Sequence, residues 1–309
     1  MNIAVFLHKL SKLIFQFGYQ SRKYTRRILS ISSACLCVTI LVFSIWDFNS
    51  IKVPIFGFHD IYSPESVSYQ STAPYLDYKA SDLESFIIGL VSENYWFLSS
   101  QDIDDYFISK HFKIPNELKG RRAVALSFDD AYESIYTHVL PILERVESEH
   151  NIKIPIILFL NSRRMMDDYA KRPQKSHYLT CEAIRDGFEK GFYDLQSAGH
   201  GHRLLTKDNK QTIADDVITM QNWLKNCVGN LPQTSSVGQH FAYPYNRVNS
   251  QVRQVVSRYH KTAYRYDRRL QRMGWSTRRY SISRLGVDRK TSLSWMFWQA
   301  HRASHLMVL

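Results

Sequence analysis

Short apolar runs alternate along the chain with longer segments whose apolar residues recur every three or four positions. The runs are Val53–Phe58 (VPIFGF), Ala123–Phe128 (AVALSF), Ile154–Leu160 (IPIILFL), Phe192–Ser197 and His240–Tyr243, with a shorter one at Tyr95–Leu98. Apolar runs of this length predict strands. Leu83, Phe86, Ile87, Leu90 and Val91 share one face of a predicted amphipathic helix, opened by a capping box of Ser81 and Glu84. Similar spacing predicts helices over Gln101–Lys110 with Ser100 as cap, after Asp130 with Pro141 near the start, and from Thr180 to just before Gly191. Others run through Ile213–Leu224, through Val252–Val256, and from Ser292 to the end. Such strand–helix alternation predicts a parallel α/β sheet or barrel, with its site at the carboxyl ends of the strands.

The first fifty residues follow another pattern. Leu29–Trp46 is an apolar run without a charge, barely long enough to cross a bilayer as a helix. Arg22, Lys23, Arg26 and Arg27 precede it, and positive flanks stay in the cytoplasm. This predicts a basic cytoplasmic segment over 1–28, a single transmembrane anchor over 29–46, and a globular domain over 52–309 outside the cytoplasm. A cleaved signal peptide is the rival reading, disfavoured by the long basic region and the lack of a clear small-x-small site.

The formal charge is +12. Part of it lies in the N-terminal segment. A second run, Arg253–Lys290, carries twelve Lys or Arg against Asp267 and Asp288. It reads as a solvated face or as a surface for an anionic partner. No nucleic-acid module accompanies it, so no nucleic-acid partner is expected. Cys181 and Cys227, the only cysteines of the globular part, can pair in an oxidising compartment or stay as buried thiols.

Polar clusters follow the predicted strands: His59–Asp60, Asp129–Asp130, His200–His202 and Tyr243–Asn246. Adjacent carboxylates at a strand end can divide two tasks, one holding a cation and the other taking a proton. His200 and His202 with one Asp make the two-His-one-carboxylate type of metal site. His59 alone reads as a general acid or as a core residue.

Together these pieces resemble the polysaccharide deacetylase family, carbohydrate esterase family four, over about Val53–Val287. They are most similar to its circularly permuted branch, which deacetylates poly-N-acetylglucosamine. VPIFGFH ending at His59, SFDDAY at Ser127–Tyr132, the Leu140–Leu143 segment, IPIILFL, YLTCEAI from Tyr178, and AYPYN at Ala242–Asn246 fall in that branch's order. The resemblance implies an irregular (β/α) barrel, here preceded by one transmembrane helix. It also implies a divalent metal, zinc, and an extracytoplasmic N-acetylhexosamine polysaccharide as substrate. By the same resemblance, Asp129 is the general base, His59 the acid that protonates the leaving amine, and Asp130 a metal ligand. Tyr245 offers its backbone N–H to the oxyanion.

One motif departs from the family's pattern. Where His-x-x-x-His is expected, the chain reads Gln196–Ser197–Ala198–Gly199–His200–Gly201–His202, so Ala198 stands on the first ligand position and His202 on the second. Two arrangements follow. His200 bends in as the replacement ligand, helped by the glycines beside it; or the domain binds glycan without cleaving it. The retained Asp129 and His59 favour the first. Gly is also replaced by Ala131 and by Asn246.

Overall fold

The computed structural model describes residues 32, 35–39, 41, 51–64, 75–171, 176–232, 234–273 and 278–306. Seven parallel strands close into a barrel in chain order. They are β1 (Ile55–Phe58), β2 (Ala123–Asp129), β3 (Ile156–Leu160), β4 (Tyr193–Ser197), β5 (His240–Ala242), β6 (Thr262–Tyr266) and β7 (Ile282–Gly286). Pairing of β1 with β2, Ile55 opposite Ala125 through Phe58 opposite Phe128, and of β7 with β1 completes the ring. Trp96–Phe97 adds a short parallel strand beside the start of β2, and Ile51–Val53 pairs antiparallel with Gln271–Met273.

Successive side chains of a strand point to opposite faces, so each barrel strand feeds two cores. Phe56, Phe58, Leu126, Phe128, Ile156, Leu158, Leu160, Leu195 and Leu285 pack outward against the helices. The alternate set, Ile55, Ala125, Ile157, Phe159, Ala242, Tyr264 and Ile282, packs inside the ring. Burial on both faces is why β3 is apolar throughout and β2 nearly so up to Ser127 and Asp129, rather than alternating.

The helices are α1 (Ala80–Ser92), α2 (Leu140–His150), α3 (Ser162–Lys171), α4 (Cys181–Glu189), α5 (Lys210–Val228), α6 (Ser250–Tyr259) and α7 (Leu293–His301). Helix α1 buries Leu83, Phe86, Ile87, Leu90 and Val91 as predicted. Its start differs: the N-cap is Lys79 with no side-chain cap, because the short strand Tyr78–Lys79 runs straight into the helix. The capping box of the next segment belongs to Ser99 and Asp102, one residue before the predicted cap. Thr180 caps α4 by accepting from the Ala183 N–H, and Pro141 lies in the first turn of α2. Cys181 on α4 and Cys227 on α5 form a disulfide.

Strands β6 and β7 escaped the hydrophobic pattern. Each is five residues long and carries an arginine within, Arg265 and Arg284. The basic run of the sequence is therefore no single face. Part of it is barrel, and Arg284 is 1% exposed.

Ile51–Leu309 forms one compact unit and Met1–Ser50 another. The expected anchor over 29–46 falls largely outside the described residues; those described in it, 32, 35–39 and 41, are helical and exposed. Among the described residues no helix is long and apolar enough to cross a membrane.

Candidate active site

A cleft of about 540 Å³ opens where the barrel strands end. His59, Asp129, Asp130, Ala198, His202 and Tyr245 all line it. The residues come from four different strand ends, which chain closure into a barrel brings together.

Asp129 ends β2 and is nearly buried. Arg284 of β7 grips it in a fork, Nη1 to Oδ1 at 2.7 Å and Nη2 to Oδ2 at 2.9 Å. The Tyr266 hydroxyl donates to Oδ2 at 3.0 Å, and Arg284 also donates to Ser127 Oγ at 3.1 Å. Bidentate charge-assisted bonds of this kind fix orientation as well as charge. The Arg284 guanidinium also sits 4.1 Å from the Tyr266 ring centroid. Burial works against the Arg284 charge, but Asp129 and the tyrosines beside it raise its pKa further. Gly57 makes room for this arrangement: a Cβ there would meet the Tyr266 ring at 2.4 Å. Sequence reasoning missed both Arg284 and Tyr266. Their partner lies 155 residues away in the chain for Arg284 and 137 for Tyr266, and no local motif marks them.

Asp130 faces a different set. His202 Nε2 lies 2.9 Å from Oδ1, Asn161 Nδ2 donates to Oδ1 at 3.3 Å, and Arg164 Nη1 donates to Oδ2 at 3.2 Å. Burial alone would raise the Asp130 pKa; the His202, His59 and Arg164 charges and bonds reverse that and hold it at about 2. Arg164, on the first turn of α3, was also missed. His59 stacks on Tyr266, with centroids 5.8 Å apart, and His202 lies against the Tyr245 ring at 4.7 Å. The Nδ1 atoms of His59 and His202 are buried without a hydrogen-bond partner.

His200 does not join them. Its ring Nδ1 pairs with Ser162 Oγ at 2.8 Å, and its carbonyl accepts from the Arg163 N–H at 3.0 Å. The Asp216 carboxylate of α5 takes the His200 and Gly201 N–H groups at 3.0 and 2.7 Å. These bonds tie the loop to α3 and α5 and hold the His200 ring away from the cleft. Gly199 is required here, at φ +79° and with Asp216 2.4 Å from where a Cβ would lie.

A three-ligand metal centre needs a third donor beside Asp130 and His202. Ala198 offers none, His200 is tied elsewhere, and a guanidinium already sits on the Asp130 carboxylate. Among the described residues no group of three His, Cys, Asp or Glu could hold an ion. The donor set present does not fit the metal that the sequence resemblance implies.

The site's backbone is strained. Asp130, Ala131, His202, Tyr245 and Asn246 have φ of +69°, +60°, +43°, +54° and +57°. Left-handed geometry at non-glycine residues collects at functional sites. At Asn246 the side chain explains its tolerance: it bonds the backbone of Tyr266 from both ends of its amide.

Residues 116–264 match the family model for polysaccharide deacetylases. The chain carries a polysaccharide deacetylase domain. No curated protein matches its sequence. Three solved structures are similar to this chain. A deacetylase, PplD, from Streptococcus pyogenes is 16% identical, with a TM-score of 0.63 over 82% of this chain and 99% of that one. IcaB from Ammonifex degensii is 15% identical, TM-score 0.61, over 81% and 97%. A de-N-acetylase from Aggregatibacter actinomycetemcomitans is 16% identical, TM-score 0.62, over 80% and 99%. At these identities the likeness establishes the deacetylase fold.

Proposed function

We propose that the chain hydrolyses N-acetyl groups of an N-acetylhexosamine polysaccharide outside the cytoplasm. The observation that carries this reading is the buried Asp129, locked by Arg284 and Tyr266, facing one cleft with His59 and Tyr245. In the proposed reaction Asp129 accepts a proton from water as its oxygen attacks the acetyl carbon. The oxyanion forms near the Tyr245 N–H, and His59 protonates the departing nitrogen. Amide cleavage needs that last step, because an unprotonated amine leaves poorly. Tyr75, Tyr132, Tyr178 and Tyr245 line the cleft and suit the apolar faces of sugar rings.

The order His59, then Asp129–Asp130, supports the circularly permuted branch, and the similar de-N-acetylase and IcaB folds support N-acetyl chemistry. The Cys181–Cys227 disulfide supports an oxidising, extracytoplasmic compartment, and the basic and apolar N-terminal segment supports a single membrane anchor.

A second reading, a glycan-binding member that assists polymer assembly without cleaving it, rests on Ala198 at a ligand position. Acetate release from an acetylated chitin oligomer by the full chain in detergent separates the two. Asp129→Asn and His59→Gln are each expected to lower the rate by roughly 10²–10⁴-fold. A wild-type chain that binds the oligomer and releases nothing would install the second reading.

A further inference from the structure

The misfit between this donor set and a metal has a counterpart in the cleft: Arg164. We propose that the Arg164 guanidinium is the electrophile of this site, standing where a divalent ion would act. This assignment rests on the hydrolase reading.

Four observations lead there. Arg164 Nη1 sits on Asp130 Oδ2, the carboxylate that the resemblance gives to a metal. Its side chain lines the cleft and is 34% exposed, so it is neither sealed in the core nor loose on the surface. Ala198 removes one competing ligand, and the ties from Ser162 and Arg163 to His200 remove the other. Arg163 and Arg164 both belong to the first turn of α3, so the segment that ties His200 back also presents the cation.

Chemistry supports the same role. Guanidinium keeps its charge throughout the working pH range and carries five donors in a rigid plane. Asp130 takes one of them, and the others are available to a substrate oxygen. The sequence of bonds is complete without another reagent. Water oxygen bonds to the acetyl carbon while Asp129 takes its proton. The carbonyl π pair moves to oxygen, which Arg164 and the Tyr245 N–H hold as the oxyanion. The pair returns, the carbon–nitrogen bond breaks, and His59 delivers a proton to nitrogen. Acetic acid and the free amine leave, the acid's proton passing to the amine in solvent to give acetate and ammonium, and solvent carries the proton from Asp129 back to His59.

The test compares the full chain with Arg164→Gln, Arg164→Ala and the double variant Ala198→His/Arg164→Ala. Each is stripped with a strong chelator and checked for metal by elemental analysis. Metal-free wild type is expected to release acetate from an acetylated chitin oligomer. Arg164→Gln is expected to lower kcat by roughly 10²–10³-fold, the usual cost of one oxyanion donor, with KM little changed. Free guanidinium is expected to restore part of the Arg164→Ala rate, which a merely structural arginine would not allow. With zinc alone added, wild type is expected to retain none, while the double variant gains about one ion per chain. Stoichiometric zinc in wild type, with activity lost on chelation and regained on its return, would overturn the Arg164 assignment and leave the hydrolase reading intact. No acetate from any form, with or without zinc, would remove the hydrolase reading and this assignment together.

Discussion

Asp129 and Arg284 show how one buried pair can organise a site. Taking a carboxylate and a guanidinium out of water costs several kcal/mol, and only good geometry with further hydrogen bonds offsets it. Here the fork is bidentate, and Tyr266 and Ser127 supply the additional bonds. Removing one partner leaves the other charged and unpaired. Arg284→Leu is therefore expected to destabilise the fold by about 3–5 kcal/mol. Adding Asp129→Asn to it should cost far less than the sum of the two single changes. Urea unfolding of the two single variants and the double variant measures this, and additive losses would show that the pair is not coupled. Asp129–Asp130, His59 and Tyr245 could be picked out in the sequence because each lies at or just beyond the end of a strand. Arg284, Tyr266 and Arg164 were not: Arg284 sits in a basic run that carries no mark of burial, and Tyr266 and Arg164 belong to no local motif.

At the scale of elements, the strands with the clearest hydrophobic pattern were legible and the polar ones were not. β2 and β3 are buried along their whole length, so their sequences are nearly continuous apolar runs. β6 and β7 carry polar and charged residues among few aliphatic ones, and turn Tyr266 and Arg284 toward Asp129, which hides them from a periodicity argument. The loop between β4 and α5 followed the same logic in reverse. Its glycines suggested that His200 was free to bend inward, yet Asp216 and Ser162 use that freedom to hold it back. The α4–α5 disulfide spans 46 residues of chain. Closing a loop of this length restricts the unfolded state by about 4 kcal/mol in the chain-entropy account. A chain with Cys181→Ser and Cys227→Ser is expected to lose about 2–4 kcal/mol in denaturant unfolding. An unchanged midpoint would mean that the bridge does not form in the protein as made.

For the whole molecule, two buried histidines set an acid limit. Burial holds His240 at about 3, with help from Lys261, His260 and Arg279 nearby, and holds His260 at about 3. Both stay neutral in the fold, while the unfolded chain protonates them near pH 6.5. Their contribution to stability is thus fully present above about pH 6.5 and is lost as pH falls toward 3. Each histidine should contribute a slope of about 1.4 kcal/mol per pH unit inside that window. Denaturant midpoints measured from pH 7 down to pH 4 should fall steadily. His260→Phe should flatten the curve if its packing survives, which a thermal scan at pH 7 checks. A flat wild-type profile would contradict this account.

The sequence by itself determined the strand–helix alternation, the parallel α/β class, and the strand ends where polar residues collect. Those features are local: they depend on which residues an element must bury and on where its pattern stops. Only the tertiary structure decided which polar residues meet. Ring closure set Arg284 against Asp129 across 155 residues of chain. Helix α3 brought Arg164 to Asp130, and the ties to α3 and α5 kept His200 out. These outcomes depend on a competition for hydrogen bonds among residues far apart in sequence. A reading that moves along the chain sees the competitors but not the distances between them.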